Sequence, residues 1–387
     1  DKMKLKRNLF SSPLCFVVNM VMVYVVYEIC RLVFLATNWS LFSEAITWSS
    51  FWEITRGGLM FDTSAILYTN ALYALLMLFP IHYKETAIYQ KIAKWVFLVC
   101  NSICVVANLA DCVYFKYTIR RTTVTVFSEF QNENNLGSIF GAEVINHWYL
   151  VVISKPYKAK GMAEYYVLQA LCLAVFVPLC VAGIRGGFTT AVRPITISNA
   201  NQYVDRPQEA AIVLNTPFSI IRTIGKSVFV VPNYYSQQEL DEIYSPIHTP
   251  GDSLVARKKN VVVIIIESFG REYIGGFNKW LEGGKYKGYT PFTDSLMQHS
   301  ATYLYSYCNG RKSIDGMPSI LSSIPMFVEP FFLTPASMNN VSGLAGELKS
   351  KGYYSAFFHG AENGSMGFQA FARATGFTDY FGRTEYN

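Results

Sequence analysis

Long apolar runs crowd the first half of the chain and are almost missing from the second. Four of them, residues 13–36, 58–79, 95–115 and 165–184, each hold about 20 mostly apolar positions, the length that crosses a ~30 Å hydrocarbon core. A weaker fifth run, 136–153, carries Glu143, Asn146 and His147. The first run is too long for a signal-peptide core and has no small-residue cleavage site, so it reads as a retained anchor. After residue 186 prolines recur at 194, 207, 217 and 232, in the manner of a linker with short helices. Within it, 215–231 has an apolar face with Arg222 and Lys226, which predicts a helix lying on the membrane surface. Past Lys259 the pattern changes again. Six consecutive β-branched residues, 261–266, predict a buried parallel strand that ends at Glu267. Residues 344–351 are helical in character, and 354–358 form a second short strand that ends at His359. The pattern strand, helix, strand is that of an α/β sheet, in which ligands bind at the carboxyl ends of the strands.

Composition agrees with this division. Of 387 residues, 51% are hydrophobic and only 16% charged, against about 25% charged in a soluble domain; the mean hydropathy is +0.21. The expected organisation is a five-helix membrane domain over 1–185, a membrane-surface linker over 186–259, and an α/β domain from 260 to 387. The net charge of +6 does not imply nucleic acid, because the basic residues gather at membrane edges. Lys2, Lys4, Lys6, Arg7, Lys84, Lys91, Lys94, Lys155, Lys158 and Lys160 fall on one side, and Arg56, Lys116, Arg120 and Arg121 on the other. That asymmetry places the N-terminus in the cytoplasm and the α/β domain outside, provided that 136–153 crosses. Seven of the eight cysteines lie in the apolar half and no CxxC pair exists, so neither a zinc ribbon nor a disulfide framework is indicated.

Several charges interrupt the apolar spans. Glu28 and Arg31, three apart on a helix, could pair. Asp62 and Asp111 fall near the outer ends of their helices, within reach of Lys116, Arg120 and Arg121. Those three cations read either as interfacial anchors or as a clamp for an anionic lipid headgroup. In the α/β domain Glu267 is either a strand-end cap or a metal ligand. The segment Cys308-Asn-Gly-Arg-Lys-Ser313-Ile-Asp315 delivers Arg311, Lys312 and a hydroxyl to the start of a helix. Ser313 is there either an N-cap or a nucleophile beside a phosphate-binding helix end. His359, in a Gly-rich loop, is either structural or a donor to a phosphoryl oxygen.

In combination, the strand and acid of 261–270, the Gly-Arg-Lys-Ser-Ile-Asp segment 310–315, and His359-Gly360 with residues 363–368 resemble the lipoteichoic acid synthase family. These are membrane-anchored phosphoglycerol transferases of the alkaline phosphatase and sulfatase superfamily. Linker residues 193–199 and 214–219 look like those of Bacteroidetes-type members. The resemblance implies that Glu267 is a metal ligand, that Ser313 is both ligand and nucleophile in place of the family's Thr, and that His359 contacts the transferred phosphate. Arg311, Lys312 and Asn363 would bind substrate beside them. It implies a divalent cation (Mn²⁺, with Mg²⁺ or Zn²⁺ as substitutes), an anionic phospholipid donor, and a glycan or lipid acceptor. The setting would be a bacterial inner membrane, with the catalytic domain on the periplasmic side. The loop after His359 lacks the family's Trp and Arg and offers Asn363, Ser365 and Met366 instead, so phosphoethanolamine transfer is the rival chemistry. A non-catalytic lipid- or glycan-binding module is the rival of a different class. No Cys-x-Pro-x-Arg or Ser-x-Pro-x-Arg surrounds Ser313, which argues against formylglycine chemistry. The family's Asp-His metal pair is expected beyond residue 387, so these 387 residues are expected to be part of a longer protein and to hold part of a metal site.

Overall fold

A computed structural model describes residues 11–42, 46–119, 121–124, 162–187, 194–204, 206–225, 233–245, 259–327, 330–331 and 334–386. The chain divides into two compact units: Asp1–Lys226 with Glu329–Asn387, and Ser227–Val328.

The first unit is built on long helices: α1 (Ser11–Thr37), α2 (Trp48–Thr69), α3 (Ala71–Leu78), α4 (Ala87–Thr118) and α5 (Met162–Arg185). Among the described residues α1, α4 and α5 are each long and apolar enough to cross a membrane, and α2 with α3 form a fourth candidate bent by 66°. This is a membrane protein by its helices. The expected fifth span, 136–153, lies outside the described residues. The helices also outrun the apolar windows that predicted them. Trp48 to Gly57 and Ala87 to Lys94 continue α2 and α4 as amphipathic turns, which a purely apolar window does not count.

The bend has a polar cause. Asn70 ends α2, its side-chain N–H donates to Ile66 O at 3.1 Å, and its amide exchanges two hydrogen bonds with Asn101 of α4 (3.0 and 2.7 Å). Such a pair satisfies both amides in a place without water. Phe16, Tyr73 and Phe97 pack around this level of the bundle.

The linker departs from its expected place. Helix α6 (Thr216–Thr223) occupies the first part of the expected helix, whose residues 226–231 lie outside the described residues, and Thr216, Pro217, Phe218, Ser219 and Thr223 are all buried. It is drawn into the bundle by polar contacts that an amphipathicity reading cannot see. Asn215 caps the helix by accepting from Phe218 N–H at 2.8 Å and donates to Asp62 at 2.8 Å. Thr216 donates its hydroxyl to Asp111 at 2.8 Å and its N–H to Asn108 at 2.9 Å. Phe218 meets Phe61 edge to face.

Residues 330–386 of this unit pack on the turn 197–203. Asn201 donates to Ser337 O at 3.2 Å and Arg373 to Gln202 O at 2.6 Å. They hold one short parallel pairing, of the second expected strand with a segment the sequence does not announce. Helix α8 (Leu344–Lys349) leads to β1 (Ala356–Phe358), which pairs in parallel with β2 (Asp379–Phe381) after helix α9 (Phe368–Ala374). Phe357 stacks on Tyr380 and Phe358 on Phe381.

The second unit consists mostly of short turns, with helices at Gln237–Ile243 and Pro291–Met297 and α7 (Ser313–Ser322). Its predicted strand is not there. Residues 261–266 form no ladder and are exposed, Val262 by 80% and Ile264 by 76%. A β-branched run favours extended backbone, but it becomes a buried strand only when neighbours pair both edges and cover both faces. The described residues provide neither.

Candidate functional site

The second unit brings two of the expected residues together. Directly after the apolar run, Ser268 takes a left-handed backbone (φ +57°), which is uncommon for a residue with a side chain and marks a turn held by its surroundings. That turn follows Glu267. Ser313 is the first residue of α7, and Lys312 occupies the capping position. The Ser313 hydroxyl therefore does not cap the helix; it donates to Glu267 Oε2 at 3.4 Å.

The loop before α7 is shaped by Asp315. Buried Asp315, one turn into the helix, accepts the backbone N–H groups of Arg311 (3.1 Å) and Lys312 (3.2 Å) through Oδ2. This satisfies donors left free at a helix start. Gly310 makes that closure possible, since it sits at φ +86° and a Cβ there would fall 2.2 Å from the Asp315 Cβ. The signal was an acid at the third position of the helix, preceded by Gly at a fixed distance. Beneath the loop, Ile314, Met317 and Leu321 bury one face of α7. Arg311 and Lys312 remain exposed.

The carboxylate of Glu267 and the hydroxyl of Ser313 are hard oxygen donors of the kind Mg²⁺ and Mn²⁺ take. Among the described residues no group of three His, Cys, Asp or Glu is placed to hold a metal.

His359 and Asn363 belong to the first unit. His359 follows β1, and its N–H donates to Phe381 O at 2.9 Å. Its Nδ1 lies 2.9 Å from the Tyr380 hydroxyl and its ring packs on Phe368 at 4.8 Å. Burial, with Glu385 adding, pushes the Tyr380 phenol up to about 12, so it stays protonated and can fix the imidazole tautomer. Asn363 turns its amide to Glu385, donating to both carboxylate oxygens at 2.7 and 2.9 Å. Its side chain is thus tied to the turn 382–385.

The cationic trio divides. Lys116 is exposed, and Arg120 lies outside the described residues. Arg121 is buried and committed within the protein. Its Nε donates to Ala211 O at 2.7 Å, Nη1 reaches Asp111 at 3.4 Å and Thr216 at 3.3 Å, and its guanidinium lies 3.6 Å from the Phe34 ring centroid. Asp111 therefore meets the cationic cluster as expected. Asp62 does not; it pairs with Arg31, which also binds Glu28 at 3.4 Å and donates to Ile212 O and Val213 O. Arg31 passes so close to α2 that a Cβ at Gly58 would lie 2.3 Å from its guanidinium carbon.

Residues 259–387 match the family model described as Sulfatase. The C-terminal third of the chain is thus a sulfatase-family domain, consistent with the alkaline phosphatase and sulfatase superfamily. The match runs across both compact units. No curated protein and no solved structure matches the chain.

Proposed function

We propose that this protein is a membrane-anchored phosphoglycerol transferase that uses Ser313 as its nucleophile and a phosphatidylglycerol-like lipid as its donor. The observation that carries this reading is the Ser313 hydroxyl, released from capping and directed at Glu267, at the start of a helix within a sulfatase-family domain. Ser313 Oγ forms a bond to phosphorus as the bond to the diacylglycerol oxygen breaks, and diacylglycerol leaves with a proton. An acceptor hydroxyl on a glycan or lipid then takes the phosphoglycerol group, and Ser313 regains its proton. Such transfers depend chiefly on positioning and charge neutralisation. Arg311 and Lys312 offer positive charge beside the hydroxyl, and Asp315 holds the loop that carries them. A divalent cation held by Glu267 and Ser313, with further ligands from elsewhere, would lower the hydroxyl pKa and offset phosphate charge. The anchor helices would keep the domain at the surface where the donor resides, on the periplasmic side of an inner membrane.

The test follows diacylglycerol release from labelled phosphatidylglycerol by detergent-solubilised protein from the complete gene, with Mn²⁺. Release by the parent that vanishes in Ser313→Ala supports the assignment. Release from phosphatidylethanolamine alone would replace phosphoglycerol with phosphoethanolamine. Release from neither lipid, with cation bound, would overturn donor chemistry of this kind.

A further inference from the structure

In the first unit, the bundle carries a cavity of about 180 Å³ whose lining includes Glu28, Arg31, Leu35, Phe51, Ile54 and Ile212. It lies at the ends of α1 and α2, beside Trp48 and Trp52, which are exposed by 75% and 56% and pack edge to face. Exposed tryptophans of this kind sit at a membrane–water boundary. The walls are apolar save for Thr55 and one pair of charges, and that pair is unbalanced. The buried Arg31 guanidinium is shared between two carboxylates, Asp62 and Glu28. Asp62 is further satisfied by Asn215 at 2.8 Å, whereas Glu28 Oε1 has no hydrogen-bond partner among the described residues. The neighbouring cation Arg121 is matched by Asp111. Counted formally, these five groups hold one more carboxylate than guanidinium, and Glu28 is the one at the cavity wall.

We infer that this cavity binds the head and first methylenes of a cationic amphiphile, with a primary ammonium donating to Glu28 Oε1. A cavity of about 150 Å³ lined by apolar side chains accommodates benzene, so this one takes a short alkyl segment rather than a whole lipid. The rest of the chain would continue past Leu32, half-exposed on α1. An anionic head would meet the unmatched carboxylate, and a neutral one would leave it without its counter-charge. The inference does not depend on Ser313 or on the reaction proposed for it.

The experiment compares dodecylammonium with dodecanol on the purified full chain, by binding and by melting temperature. The parent is expected to bind the amine about tenfold more tightly, the factor of a single charge-assisted contact. Glu28→Gln should abolish that preference while still binding dodecanol. Leu35→Phe, which fills the cavity and leaves Glu28 in place, should weaken both ligands, and it serves if Glu28→Gln fails to fold. Equal affinity of the parent for the two ligands, or an amine preference that survives in Glu28→Gln, would overturn the proposal, as would unchanged binding in Leu35→Phe. Native mass spectrometry after reconstitution in equal phosphatidylethanolamine and phosphatidylglycerol separates the sources. Retained phosphatidylethanolamine identifies an aminolipid, and amine binding without such retention identifies a free amphiphilic amine.

Discussion

Gly310 shows how much of the candidate site depends on one backbone angle. Alanine there would carry a left-handed backbone cost of about 1–2 kcal/mol and push its methyl into Asp315. Gly310→Ala is expected to lower the stability of the 259–327 region by at least that amount and to abolish transfer, read by hydrogen exchange over 309–316 and by lipid release. Asp315→Ala, which leaves two N–H groups without an acceptor, should cost about 1–3 kcal/mol. At this scale the sequence was readable where partners are near one another in the chain. Glu28 and Arg31 pair as their spacing predicts, and Ser313 stands at a helix start. It was unreadable where the partner comes from another element: nothing near residue 31 announces Asp62, and nothing near His359 announces Tyr380. Lys84 makes the same point with a sign that can be measured. It reads as one more cytoplasmic cation, yet it is buried and donates to Met77 O and Gln169 Oε1, both at 2.8 Å. Burial, only partly offset by Glu85, pushes its pKa down to about 8. Between pH 8 and the ordinary lysine value the unfolded chain binds the proton and the folded chain does not, so Lys84 adds stability as pH rises through that window. The melting temperature of the parent minus that of Lys84→Met should therefore climb from pH 8 to pH 10; a flat difference would contradict it.

Among the elements, the break between α2 and α3 is where physical contact overrides the linear pattern. Residues 58–79 read as one continuous span, and the bend appears only because Asn70 finds Asn101, which lies 31 positions on in a different helix. Replacing either asparagine alone leaves the other amide buried without its partner, a loss of about 1–3 kcal/mol. Asn70→Leu combined with Asn101→Leu should recover most of that loss and straighten the helix. A thermal double-mutant cycle in detergent checks the first part, and additive losses would count against the coupling. Helix α6 follows the same rule. Its amphipathic sequence predicts a surface position, and three hydrogen bonds to Asp62, Asp111 and Asn108, together with its cap, hold it in the bundle instead. Strand β1 was legible from its flanking polar residues and its aromatic run. Strand β2, only three residues long, is too short for a period of two to declare itself.

For the molecule as a whole, the division into an apolar half and a mixed half was plain from hydropathy, because twenty-residue windows average over the very contacts that single positions depend on. The run 261–266 is the opposite case. A parallel strand is recognised by its residues and completed by its neighbours, and among the described residues the run is present without the neighbours. That has a consequence for handling the protein. Among the described residues this run of six β-branched side chains, with no proline and no charge, has unpaired peptide groups, and such a run is a template on which another copy can lay its own chain. Solutions of the protein should thus thicken with concentration through β-rich oligomers seeded at this segment. Light scattering and thioflavin fluorescence would follow their growth. Ile264→Lys, which puts a charge at the exposed centre of the run, is expected to delay them severalfold, and identical growth of parent and variant would locate the sticky surface elsewhere.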